Sequence, residues 1–173
     1  MKNLNIFSKT VLLFTIIFFT VWLGGYIARQ IAVYQLFEPV ELNLKMFYNP
    51  NNLSSAISLL VPLIISNLIT YTCFLLLFLI FIGTSKLNLR KNGWLFIITL
   101  IIIITAPFEI YLSLIDYKII RLGLANINES NFILELIKER LTKLNSFSLI
   151  EIFSYLAIIF LTLFRPLQKS NEN

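Results

Sequence analysis

The sequence predicts an all-α integral membrane protein, a four-helix transmembrane bundle with an amphipathic interfacial helix between spans three and four. Apolar residues make up 58% of the chain, whereas charged residues make up only 13%. A soluble protein of this length needs more polar surface to cover its core. The apolar residues also fall into four long blocks separated by short polar stretches, as in multi-pass membrane proteins. Residues 1–173 are therefore predicted to form a single transmembrane domain.

The first span is predicted over about 10–36, where an apolar run continues into a mixed segment. Within it, Gly24, Ala28 and Ala32 recur every four residues and so share one face of a helix. A stripe of small residues lets another helix approach closely, which drives helix association in lipid. This face is predicted to pack against another helix.

The second span is predicted over about 53–84. Ser58, Ser66 and Thr70 lie on one face, since their spacing is a multiple of four residues. Hydroxyl groups in lipid need hydrogen-bond partners, so this face is also predicted to pack against a neighbouring helix.

The third span is predicted over about 93–122, roughly 45 Å long at 1.5 Å per residue, and so longer than a bilayer core of about 30 Å. After a polar turn, helical periodicity over about 131–145 places apolar residues on one face and charged residues mostly opposite. This segment is too polar to span and is predicted to lie on the membrane surface. The fourth span is predicted over about 147–164.

The distribution of basic residues predicts the topology. Four spans place both termini on one side, together with Lys9, Lys86, Arg90, Lys91 and Arg165. The loop between the first two spans carries glutamates instead. The positive-inside rule therefore predicts a multi-pass protein of the cell membrane with both termini in the cytoplasm.

Several ionisable residues fall inside or beside the predicted spans, where charges are costly and need an explanation. Helical rise places Arg29, Glu109 and Glu151 at a similar depth toward the outer side. Asp116 shares a helix face with Glu109, and Tyr26 lies one turn from Arg29. The functional interpretation is a polar pocket that opens outward, in which Arg29 is the only cation. Such a pocket could bind a polar or cationic ligand, or relay protons through Glu109.

The same residues also have structural interpretations. Arg29 could pair with Glu109 to join the first and third helices. Glu151 completes an S-x-x-E capping box with Ser148. Asp116 could lie in water, and Tyr26 is of a type that often anchors helices at the membrane interface.

Composition excludes several chemistries. The chain has no histidine, which excludes histidine-ligated haem or metals and histidine-based catalysis. Its one cysteine, Cys73, lies inside an apolar block and cannot form an internal disulfide. No metal or cofactor is predicted. Nucleic acid is not expected as a partner, since the basic residues cluster at the span ends.

These observations leave two hypotheses. The first is a non-enzymatic membrane subunit, scaffold or assembly factor, whose partners are the lipid bilayer and other membrane proteins or further copies of itself. The alternative is a small transporter or ligand-binding protein that uses the Arg/Glu cluster. A dry ion pair between helices favours the first hypothesis, and an open polar cleft favours the second.

Overall fold

The computed structural model describes residues 4–38, 42–89, 91–125, 130–144 and 146–167. Within these residues the chain is all-helical, and four of its helices are long and apolar enough to cross a membrane. The predicted fold class, a helical membrane bundle, is confirmed. Arg90 of the predicted topology signal and Asn145 at the end of the predicted amphipathic helix lie outside the described residues. The helices are α1 (Ile6–Tyr34), α2 (Pro50–Thr84), α3 (Gly93–Ala125), α4 (Ser130–Lys143) and α5 (Phe147–Phe164).

Three helices begin or end outside the predicted span limits. Helix α1 starts at Ile6 because the side chain of Asn5 caps it, accepting a hydrogen bond from the Ser8 amide at 2.7 Å. Helix α2 starts at Pro50, a residue suited to a first helical position because it lacks an amide hydrogen. Helix α3 extends to Ala125, about 50 Å in all, so it exceeds the thickness of a bilayer core.

The helix ends meet at two ends of the bundle. At one end, Ser8 Oγ donates to the carbonyl oxygen of Thr84 at 3.1 Å, joining the start of α1 to the end of α2. At the same end, the Gly93 amide donates to the Leu167 carbonyl oxygen at 3.3 Å, joining the start of α3 to the chain beyond α5. We call this the basic end, because it carries Lys9, Lys86, Lys91 and Arg165. Helix α4 packs on α3 and α2 at the opposite end.

Two separate hydrophobic cores fill the bundle. The aromatic core lies toward the basic end, and rings make up more than half of its buried residues: Phe19, Trp22, Tyr26, Tyr71, Phe74, Phe78, Phe81, Trp94 and Tyr155. The aliphatic core lies toward α4 and is built from leucine, isoleucine and valine, with Phe37 as its only buried aromatic residue among those described. Helices α1, α2 and α3 contribute to both cores.

Helix α4 completes the aliphatic core. Its buried face carries Ile133, Leu136, Ile137 and Leu141, while Glu135 is exposed. Helix α4 is therefore packed against the bundle through an apolar face. Its location on a membrane surface stays a prediction.

Two of the three residues of the predicted small-residue stripe on α1 face away from the other described helices, and packing of this stripe against another helix stays a prediction. Gly24 and Ala28 are exposed, and a Cβ atom on Gly24 would meet nothing within 4 Å. Ala32 is half-buried against the aliphatic core. The close approach occurs one residue later, at Gly25, where a Cβ would lie 2.5 Å from Asn67 Oδ1. Four-residue spacing establishes a shared face but not the direction in which that face points.

The predicted polar face of α2 is mostly exposed within the described residues, and its packing against another helix stays a prediction. Ser58 and Ser66 are exposed, and only Thr70 is buried. Ser58 Oγ donates to the Ser55 carbonyl oxygen, and Thr70 Oγ1 donates to the Ser66 carbonyl oxygen, each at 2.7 Å. These two hydroxyls find partners in their own helix and do not require a second one.

Candidate functional site

Five ionisable side chains are buried between the two cores. They come from four helices: Arg29 from α1, Glu109 and Asp116 from α3, Arg140 from α4 and Glu151 from α5. None is more than 7% exposed. We call these five residues the ionic cluster.

Three short ion pairs join α1, α3 and α4. Arg29 Nη1 donates to Asp116 Oδ2 at 2.8 Å. Arg140 Nε donates to Asp116 Oδ1 at 2.8 Å, and Arg140 Nη2 donates to Glu109 Oε1 at 2.9 Å. Asp116 thus accepts from two arginines, while Arg140 bridges two carboxylates through its planar, forked guanidinium group.

Helical periodicity explains why these side chains meet. Glu109 and Asp116 are seven residues apart on α3, close to two full turns, so both carboxylates lie on one face. Arg140 follows Ile133 by seven residues and Ile137 by three, so it belongs to the buried face of α4. When that apolar face packs on α3, it carries the guanidinium to the two carboxylates.

Arg140 is held in its charged form. Burial lowers the pKa of Arg140, but the carboxylates of Asp116 and Glu109 raise it by more, so the net direction is upward. The ring of Tyr26 lies beneath both arginines, with its centroid 5.2 Å from Arg29 Cζ and 5.8 Å from Arg140 Cζ. A ring face at this distance adds a cation–π attraction. Tyr26 is fully buried, so it does not anchor the helix at an interface.

Glu151 stands apart from the ion pairs. It is 0% exposed, and neither of its carboxylate oxygens has a hydrogen-bond partner among the described residues. Its polar neighbours include Glu109 and Tyr26. The predicted capping box is wrong, since α5 begins at Phe147 and Ser146 occupies the cap position without a side-chain cap bond. Ser148 lies inside the helix and accepts from Gln30 Nε2 at 3.0 Å.

Cavities differ sharply between the two halves of the bundle. Beside Arg29, Asp116 and Arg140 the cavity is about 10 Å³, at the lower limit for one water molecule. A groove of about 360 Å³ opens in the aromatic half, and no ionisable side chain lines it. Its walls include Phe19, Phe74, Ile98, Ile159 and Leu163. The charged groups are therefore sealed, and the accessible space is apolar.

The structure brings the five predicted cluster residues together but changes their pairing. Arg29 pairs with Asp116 and not with Glu109, and Asp116 is 2% exposed, not in water. Arg29 is not the only cation, since Arg140 is equally central. Sequence reasoning missed Arg140, although its position among the apolar residues of α4 was a usable signal.

No protein-family model, curated protein or solved structure is significantly similar to this chain. Among the described residues, no group of three His, Cys, Asp or Glu side chains is arranged to hold a metal ion. The function must therefore be inferred from the ionic cluster and the surfaces of the bundle.

Proposed function

We propose that this chain is a non-enzymatic membrane subunit, scaffold or assembly factor. The observation that carries the proposal is the closed ionic cluster, whose arginines are both bound to carboxylates of another helix. A transport or catalytic site needs access for its substrate, and the cavity of about 10 Å³ beside these groups gives none.

Buried ion pairs of this kind specify how helices fit together. Burying a charge is favourable only when its partner is well placed, so an arrangement that separates Arg140 from Asp116 and Glu109 is strongly disfavoured. The cluster therefore selects one arrangement of α1, α3 and α4. A rigid arrangement suits a protein that presents surfaces to partners within the membrane.

The exposed small residues of α1 offer a surface for such a partner. Gly24 and Ala28 face away from the bundle, and the space where a Gly24 side chain would lie is open. In lipid, small residues allow the backbone of a second helix to approach closely. We assign this face to another membrane-spanning helix.

Neighbouring glycines supply a matched test. The Gly24→Leu variant should fold normally but lose its partner, since the added side chain extends outward into open space. The Gly25→Leu variant should lose stability itself, because its Cβ would lie 2.5 Å from Asn67 Oδ1. Tagged protein is extracted from native membranes in lipid nanodiscs, crosslinked through a photoreactive residue at position 28, and weighed by mass spectrometry.

The expected result is one stoichiometric crosslinked species with the native chain, lost in Gly24→Leu while the melting temperature is unchanged. A native chain that emerges alone and uncrosslinked from membranes would overturn the subunit proposal. A partner that survives Gly24→Leu would place the contact on another surface.

We also propose that both termini face the cytoplasm, since Lys86 and Lys91 lie at the basic end, where α1 begins and α5 ends. A cysteine at Asn88 should then resist an impermeant thiol reagent in intact cells. A cysteine at Met46, which is fully exposed at the opposite end, should react. The reverse labelling pattern would invert the topology.

A small transporter or ligand-binding protein is the second candidate, and the unpaired Glu151 is the observation in its favour. Vesicles that contain the purified protein and an internal pH dye would report proton flux. Flux that disappears in the Glu151→Gln variant would favour this candidate over the subunit.

A further inference from the structure

Glu151 is the charge that the ion pairs leave unmatched. The ionic cluster contains three carboxyl groups but only two guanidinium groups. Both arginines bind Asp116, and Arg140 also binds Glu109, whereas neither donates a hydrogen bond to Glu151. If all five groups were ionised, the cluster would carry one excess negative charge.

Among the described residues, no lysine or arginine forms an ion pair with Glu151. Every other lysine or arginine of the described residues is at least partly exposed. The titratable and charged groups that interact electrostatically with Glu151 are Tyr26 on α1, Tyr71 on α2, Glu109 on α3, Arg140 on α4 and Tyr155 on α5 itself, and Arg29 and Asp116 are buried in the same ionic cluster.

Among the described residues, an ionised Glu151 would therefore be a fully buried carboxylate without an ion pair, and the neutral Tyr26 hydroxyl beside it does not balance its charge. Transfer of such a group from water into a protein interior is strongly unfavourable, and the group takes up a proton instead. Glu109 has an acceptor to offer, because its Oε2 atom is buried and also lacks a hydrogen-bond partner among the described residues.

We propose that Glu151 is a proton-binding site whose proton is shared with Glu109 across the contact between α3 and α5. A protonated carboxyl becomes a donor, so the Glu151 hydroxyl can donate to Glu109 Oε2. One proton then removes the excess charge and gives a hydrogen bond to Glu109 Oε2 and to the Glu151 carboxyl group. The remaining charges, two positive and two negative, match.

The proposal goes beyond the function proposed above, because it makes the attachment of α5 dependent on protonation. With the proton bound, a hydrogen bond joins α5 to α3. Without it, two carboxylates face each other at the same contact and repel. Since α5 also forms one wall of the apolar groove, proton release would loosen that wall.

Infrared spectroscopy can detect this proton directly. The protein is measured in a maltoside detergent, which contains no carbonyl group, at neutral and at alkaline pH. The difference spectrum of the native chain should show the carbonyl stretch of a protonated carboxyl group at neutral pH, shifted in deuterium oxide. The band should be absent in Glu151→Gln and retained in Glu135→Gln, whose side chain is 70% exposed.

The melting temperature of variants tests the protonation of Glu151 independently. Glutamine mimics a neutral glutamic acid, so Glu151→Gln should melt near the native temperature at neutral pH and should resist alkaline pH better than the native chain. Asp116→Asn, an amide replacement of a paired carboxylate in the same cluster, should lower the melting temperature by several degrees.

The native spectrum alone can overturn the proposal, because the absence of a protonated-carboxyl band at neutral pH means that Glu151 is ionised. A Glu151→Gln variant that fails to fold, or that melts as low as Asp116→Asn, would also contradict it. A band that persists in Glu151→Gln would assign the proton to another residue.

Discussion

The two halves of the bundle fill their interiors in different ways. The aromatic half packs large rings such as Trp22, whose ring centroid lies 4.6 Å from that of Tyr155, and leaves a groove of about 360 Å³ beside them. The aliphatic half packs branched side chains under helix α4, next to a cavity of only about 10 Å³. The ionic cluster lies between the two halves.

The difference follows from helix length. Helix α5 has 18 residues, about 27 Å, and cannot cover the whole of α3, which has 33. Helix α4 covers the remainder of α3 and brings Arg140 with it. At the basic end none of the described helices fills the space between α1 and α5, which make only slight contact. The comparison predicts that side-chain substitutions destabilise the half with α4 strongly and the half with the groove only slightly.

The largest effect is expected at Arg140. Replacing it with methionine keeps the apolar contacts of α4 but leaves Glu109 without its ion pair and Asp116 with one arginine instead of two. Removing one partner of a buried ion pair typically costs about 3–5 kcal/mol. Thermal unfolding of Arg140→Met should therefore shift to much lower temperature.

The matched control is Lys138→Met, on the same helix. Lys138 Nζ lies 3.7 Å from Glu135 Oε1 in a partly exposed pair, and surface pairs typically contribute about 0–1 kcal/mol. Equal destabilisation by the two variants would mean that the ionic cluster does not hold α4 in place.

An intermediate loss of stability is expected at one of two isoleucines of α3 and not at the other. Ile115 lies in the aliphatic core and Ile98 borders the groove, and they are 5% and 4% exposed. Ile115→Phe should cost about 1–3 kcal/mol, since a tightly packed core cannot accept a larger side chain. Ile98→Phe should be tolerated, because the ring can extend into the groove. Denaturation of both variants tests the contrast, and similar losses would show that the halves are equally packed.

The smallest effect is expected on the exposed face of α4. The hydrogen bond from Lys143 Nζ to Glu139 Oε1, at 2.8 Å, holds the pKa of Glu139 below its usual range. The pair therefore stabilises the fold above the usual glutamate pKa, and this contribution is lost as the pH falls through the lowered value.

Lys143→Gln should raise the pKa of Glu139 toward its ordinary value, as followed by NMR titration of the side chain. The melting temperature at pH 7 should not change measurably, since exposed pairs contribute little. A clear loss of stability would mean that this face of α4 is covered in the folded protein.

Much of the fold could be predicted from the sequence. Long apolar blocks and helical periodicity gave the fold class, and the structure has all five helices near the predicted segments, with ends that differ by a few residues. Capping accounts for one difference, because Asn5 extends α1 toward the N-terminus. Such patterns are local, so a single sequence reveals them.

The candidate site could be predicted only in part, because pairing depends on how the helices face each other. Periodicity placed Glu109 and Asp116 on one face, but it could not tell which arginine each would meet. Gly24 and Gly25 illustrate the same limit. They are adjacent in sequence, yet one faces open space and the other contacts Asn67. Arg140 was overlooked because helix α4 was assigned to the membrane surface, where an arginine needs no buried partner.

The pairing of Arg140 has a consequence for how the protein is made. Asp116 can meet Arg29, which the ribosome has synthesised 87 residues earlier, as soon as α3 reaches the membrane. Glu109 must wait for Arg140, which follows it by 31 residues. At translation rates of roughly 5–20 residues per second, the interval is a few seconds. During nascent-chain insertion, α1 and α2 can therefore pack together before α3 is made, and the ion pairs of Arg29 and Arg140 with α3 form in that order afterwards.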